Sequence, residues 1–104
     1  MQPPATSEQQ IHGALHGVRV LDLSQGIAGP FAARLLGDHD ADVIKVEPLT
    51  VGDSGRRLAP LQPTAPPPEQ SLLFQYLNWN KRSVALDITT SFGQKALRAL
   101  IERS

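Results

Sequence analysis

The stretch with the strongest claim to touch a ligand is Ser24-Gln25-Gly26-Ile27-Ala28-Gly29-Pro30. It follows the short apolar run Val18–Leu23 and leads into a helical pattern. Glycines between a strand and a helix suit an anion, because free N–H groups and the helix dipole favour negative charge there. Glu47 lies 21 residues after Gly26, near the place of a ribose-binding acid in a dinucleotide fold. The turn itself argues against a dinucleotide. Aligning Gly26 with the first glycine of G-x-G-x-x-G puts Ala28 second and Phe31 third, where the helix must lie close to the strand. Pro30 also removes one N–H from the cradle. No Gly-Lys-Ser/Thr follows, so it is not a Walker loop.

Other chemistries find less support. Ser24 after a strand could be a nucleophile, but no histidine has an evident reason to lie beside it, and no Gly-x-Ser-x-Gly occurs. His12, His16 and His39 show no ligand spacing and the chain has no cysteine, so no metal is expected. Ten Lys+Arg balance ten Asp+Glu, which leaves no basic stripe for nucleic acid; Trp79 beside Lys81-Arg82 is too little. No apolar run approaches a membrane span, and MQPPATSEQQ is not a secretory signal. These features, with zero cysteines, suit a cytoplasmic protein without disulfides. Asp22, at the end of the first apolar run, either caps the turn by accepting N–H bonds or acts directly; capping is the preferred reading.

The elements that must position these residues read as α/β. Residues 1–15 are a polar, disordered tail, and residues 16–104 are the folding part. Val18–Leu23 is a strand buried on most of both faces. A helix starts near Ala28–Pro30 and runs to about Asp38, with Phe31, Leu35 and Leu36 as its apolar stripe and Gly37 helping to stop it. Asp42–Val46 is the second strand, joined to the first by a parallel crossover. Pro48, Pro60, Pro63, Pro66, Pro67 and Pro68 then exclude a helix or central strand through much of a long Pro-rich loop. Within it, Arg56-Arg57 either holds phosphate or carboxylate or is simply solvated. Glu69–Leu77 is a short helix, Asn78–Ser83 a polar turn, and Ser83–Asp87 the third strand. The last helix starts around Ser91, with Ser91 and Gln94 at capping-box spacing. The ordered part, about 75–80 residues, is small for a single core. It reads as a partial Rossmann-like parallel sheet, the N-terminal part of a larger domain that has been cut after a helix.

Four blocks carry a resemblance: GVRVLDLSQGIAGPFAARLLGDHDADVIKVEP, GDSGRR, NWNKRSVALDI and the last helix. Their order and separations, over about Leu15 to Ser104, resemble the N-terminal region of the class III CoA-transferases. That family includes formyl-CoA transferase, carnitine CoA-transferases and the α-methylacyl-CoA racemases. The resemblance implies a Rossmann-type large domain, interlocked homodimers and coenzyme A, free or as acyl-CoA, as the substrate. It implies transfer of CoA between carboxylic acids, or epimerisation of an acyl-CoA at its α-carbon. In the transferases an aspartate attacks the acyl-CoA and carries covalent intermediates.

Carried over by position, the family's CoA contacts fall on Ile27 and Ala28 in the turn and on Leu86, Asp87, Ile88 and Thr89 after the third strand. Gln25 falls near the acyl end. Leu86 and Ile88 read equally well as core. The formyl type places a CoA-phosphate arginine just after the second strand, where this chain has Pro48; Arg56 or Arg57 could substitute. The next family block and the catalytic aspartate are expected further on, so neither Asp22 nor Asp87 is that residue. The expectation is an N-terminal segment that holds part of the CoA pocket without the catalytic Asp, inactive alone. The alternative is a stand-alone non-catalytic binding module.

Overall fold

The computed structural model of the chain describes residues 11–104. Of the tail expected over residues 1–15, residues 1–10 lie outside the described residues. Gly13 N donates to Asp40 Oδ2 at 3.1 Å and Leu15 N to the His39 carbonyl at 2.8 Å. The Leu15 side chain packs against Ala33, Ala41 and Val43.

Three parallel strands form the sheet, in the order β1 (Arg19–Asp22), β2 (Asp42–Pro48), β3 (Lys81–Leu86). Helix α1 spans Ala28–Asp38, α2 Leu72–Leu77 and α3 Ser91–Glu102, and a 3-10 turn covers Ser54–Arg57. This is the expected α/β strand-helix-strand unit, Pro-containing loop, strand and helix. β2 is central, and Val43, Ile44, Lys45, Val46 and Glu47 are all buried. Strand alternation puts Val43, Lys45 and Glu47 on one face and Ile44 and Val46 on the other. The first face meets α1 and the loop; it is the face that carries charge.

Helix α1 corrects two expectations. Its buried residues are Pro30 and Ala33, whereas Phe31, Leu35 and Leu36 are each about two-fifths exposed. Small residues let the helix lie close to the sheet, and the large apolar stripe faces away. Gly37 does not stop the helix. A Cβ there would meet the Asn80 carbonyl at 3.3 Å and Val43 Cγ2 at 3.5 Å, so the glycine permits close packing instead.

Helix α3 also starts differently from the expected capping box. Thr90, not Ser91, is the cap: its Oγ1 accepts from Gly93 N at 3.0 Å and donates to the Asp87 carbonyl at 2.8 Å. Gln94 Nε2 donates instead to the Ile88 carbonyl. β3 begins at Lys81, two residues before the expected strand, within what read as a turn. Pairing with Val43 in register extends it there.

Candidate functional site

The Ser24–Gly29 turn sits at the C-terminal end of β1, and its shape follows from two glycines. Gly26 has φ +86°, a conformation that a side chain disfavours. At Gly29 a Cβ would run into the Ser24 side chain. Asp22 Oδ1 accepts from Ser24 N at 2.9 Å and from the Ser24 hydroxyl, so it does cap the turn.

Beneath the turn lies an ionic cluster. Lys45 Nζ reaches Asp53 Oδ2 at 2.6 Å and Asp22 Oδ2 at 3.7 Å, and donates to the Ser24 carbonyl at 3.0 Å. The Lys45–Asp53 contact is an ion pair off the hydrogen-bond direction, since Asp53 Oδ2 takes no well-directed hydrogen bond. Asp53 Oδ1 accepts from Gly26 N at 3.0 Å and Gly55 N at 2.7 Å. Lys81 Nζ donates to Asp22 Oδ2 and to Asn78 Oδ1, each at 2.7 Å, and to the Pro30 carbonyl at 2.9 Å. Glu47 accepts two bonds from Arg56 at 2.7 Å and one from Asp53 N at 2.7 Å, and Ser83 adds a fourth. Three carboxylates thus balance three cations in a nearly water-free space, and the turn's backbone is tied to two of them.

The electrostatics follow from these contacts. Arg56 pulls the Glu47 carboxyl down to about 2, against the upward push of burial. Burial pushes Asp22 up, but Lys81, Ser24 and Lys45 outweigh it and leave its pKa lowered. Burial lowers the Lys81 pKa, with Asp22 opposing the shift.

Three strand ends open a small cleft of about 70 Å³, lined by Leu23, Gln25, Val46, Glu47, Pro48 and Ile88. Two residues singled out from sequence, Gln25 and Ile88, therefore face one space. Gln25 Oε1 also accepts from Ser54 N at 3.2 Å. Leu86 pairs in register with Pro48 at the rim and is half-buried. Ile88 is 43% exposed, so its reading as core packing does not hold. Ile27 and Ala28 are exposed where α1 begins. Asp87 and Thr89 do not line the cleft. Asp87 Oδ1 accepts from Thr89 N and Oγ1, a turn that lowers the pKa of this exposed carboxyl. Broader hollows of about 490 and 650 Å³ lie at the opposite end, near Asp40.

Sequence reasoning found the capping role of Asp22 but missed the ionic cluster that it belongs to. Lys45 and Glu47 interrupt an otherwise apolar strand with charge on one face, and that pattern was the available signal. Of the readings for Arg56, carboxylate binding holds: it is paired with Glu47 and stacked 4.1 Å over Phe74, and so is not free for phosphate. Arg57 is exposed and donates to the Val51 carbonyl. His12 and His16 also proved related, since both rings approach Asp40.

Known proteins resemble this chain in sequence and in fold. The chain is 41% identical over 92 residues to a succinyl-CoA:mesaconate CoA-transferase of Haloarcula hispanica, covering 88% of this chain and 23% of that protein. It is 46% identical over 89 residues to a formyl-CoA:oxalate CoA-transferase of Rhodopseudomonas palustris, covering 86% of this chain and 20% of that one. The chain thus spans about a fifth to a quarter of these relatives. A CaiB/BaiF family protein from Brucella suis superposes with a TM-score of 0.79 at 32% identity, over 90% of this chain and 25% of that one. A hypothetical protein from Mycobacterium tuberculosis superposes with a TM-score of 0.70 at 35% identity, over 85% of this chain and 22% of that one. With the family model matching residues 15–104, the chain belongs to CoA-transferase family III.

Proposed function

We propose that this chain supplies one wall of the coenzyme A crevice of a cytoplasmic CoA-transferase that moves CoA between carboxylic acids. The observation that carries the reading is the cleft at the C-terminal ends of three parallel strands, where Gln25 and Ile88 meet. Ligands of open parallel sheets bind outside those strand ends. Ile27 and Ala28 are exposed where α1 begins, and Leu86, Asp87 and Thr89 flank Ile88 between β3 and α3. Helix α1 has no side-chain cap and no acid in its first turn, which leaves its dipole to a CoA phosphate. The relatives' names favour a transferase over a racemase.

The attacking carboxylate comes from elsewhere in the whole protein. The three buried carboxylates of the described residues, Asp22, Glu47 and Asp53, are each held by a cation; Glu47 lines the cleft, but its carboxylate is paired with Arg56. In this reading they position the turn and take no part in the chemistry. A second subunit interlocks with the first and covers the apolar residues Phe31, Leu35, Leu36, Phe92 and Ile101, all exposed in the single chain.

Calorimetric titration of CoA into the 104-residue chain tests the proposal. Half a crevice should bind weakly, with a dissociation constant on the order of 1 mM. Ala28→Glu, which adds a carboxylate beside the turn, should abolish the heat. Tight stoichiometric binding, or binding that Ala28→Glu leaves unchanged, contradicts the proposal.

A further inference from the structure

At the opposite end of the sheet from the turn, two imidazoles and a carboxylate converge. His12 Nδ1 lies 3.8 Å and His16 Nδ1 3.4 Å from Asp40 Oδ2, and one donor atom from each residue lies within 4.8 Å of the others. The two histidines stand four residues apart, His16 on the turn that precedes β1 and His12 just before it, and Asp40 stands on the corner between α1 and β2. We propose that His12, His16 and Asp40 bind one divalent transition-metal cation of the zinc type, which fastens residues 11–17 to the corner between α1 and β2.

Donor chemistry and spacing both support this site. Two imidazole nitrogens and one carboxylate oxygen are the donor set of many three-ligand zinc sites, with a fourth position left for water. Donors about 2.0–2.2 Å from a tetrahedral ion stand roughly 3.3–3.6 Å apart, close to the spacings of 3.4 and 3.8 Å found here. The rings are stacked, with centroids 3.6 Å apart and planes 9° from parallel. Each ring must tilt to bring its in-plane lone pair onto a shared ion, and both side chains are exposed enough to do so. The carboxylate is itself placed: Asp40 has φ +80°, and its Oδ2 accepts from Gly13 N at 3.1 Å. That bond orients the ligand oxygen from behind. The cluster draws on groups 24 and 28 residues apart, so an ion there would cross-link two segments otherwise joined by the Leu15–His39 backbone bond, the Gly13–Asp40 bond and the packing of Leu15. The opposing account is a plain ion pair between Asp40 and one protonated imidazole.

Titration of tag-free chain with Zn²⁺, and with Co²⁺ as a spectroscopic probe, decides between the two. The proposal expects one ion per chain, a visible Co²⁺ absorption band and a higher melting temperature with Zn²⁺. His16→Gln and Asp40→Asn should each weaken Zn²⁺ affinity at least about tenfold. Asn tolerates the left-handed backbone at position 40 and keeps an acceptor for Gly13, so Asp40→Asn removes the ligand charge without unfolding the corner. His39→Gln, one residue from Asp40 but outside the cluster, should leave affinity unchanged. No Zn²⁺ binding, binding that survives both His16→Gln and Asp40→Asn, or equal loss in His39→Gln overturns the site in favour of the ion pair.

Discussion

Asp53 does three things with one fully buried carboxylate. It neutralises Lys45, accepts from Gly26 and so shapes the turn, and caps the 3-10 turn through Gly55. Removing one member of a buried pair leaves an uncompensated charge, which costs about 3–5 kcal/mol. Asp53→Ala should therefore lower stability by about that much in chemical denaturation, a large part of what a chain this short has. Asp53→Asn keeps an acceptor for Gly26 and should cost less. Glu47 makes a pH prediction. Its folded pKa of about 2 lies below its ordinary value of 4.5, so its contribution is present above about pH 4.5 and is lost as pH falls toward 2. The loss should reach up to about 3 kcal/mol, and Glu47→Gln should flatten that part of the stability-against-pH curve. A wild-type curve that Glu47→Gln leaves unchanged contradicts the Arg56–Glu47 assignment. Little of this was legible in the sequence. The capping role of Asp22 was, because Asx turns are local. Lys81 meets Asp22 across 59 residues, and only the strand pairing brings them together.

At the scale of elements, the strand-helix-strand unit was legible because its signals are local: apolar runs, turn glycines and a proline near the helix start. The faces were not. The size of Phe31, Leu35 and Leu36 suggested a core stripe, but the sheet selected Pro30 and Ala33 because a helix lying this close leaves room only for small side chains. The same constraint acts at the start of α3, where a Cβ on Gly93 would run into the Asp87 carbonyl. Backbone cannot yield as a side-chain tip can. Gly93→Ala should destabilise the chain by about 1–3 kcal/mol, seen as a lower melting temperature, and displace the Asp87–Thr89 rim. A melting temperature equal to wild type would show that α3 does not hold this distance to β3.

Over the whole molecule, the expected α/β sheet is present, and large apolar side chains stand uncovered on it. Phe92 is 80% exposed and Ile101 55%, and α1 turns its own apolar stripe outward. No helix of the described residues is long and apolar enough to cross a membrane. Such surface should make the single chain bind a dye such as ANS and self-associate as concentration rises, measurable by sedimentation. A chain that stays monomeric and dye-free contradicts the proposal that these faces belong to an interlocked subunit. The Ser24–Gly29 turn remains the feature on which the account depends. Amide chemical-shift mapping during a CoA titration tests it most directly. Shifts confined to two separated segments, Gln25–Ala28 and Leu86–Thr89, are expected. Shifts gathered instead around Asp40, or none at either segment at saturating CoA, would contradict it.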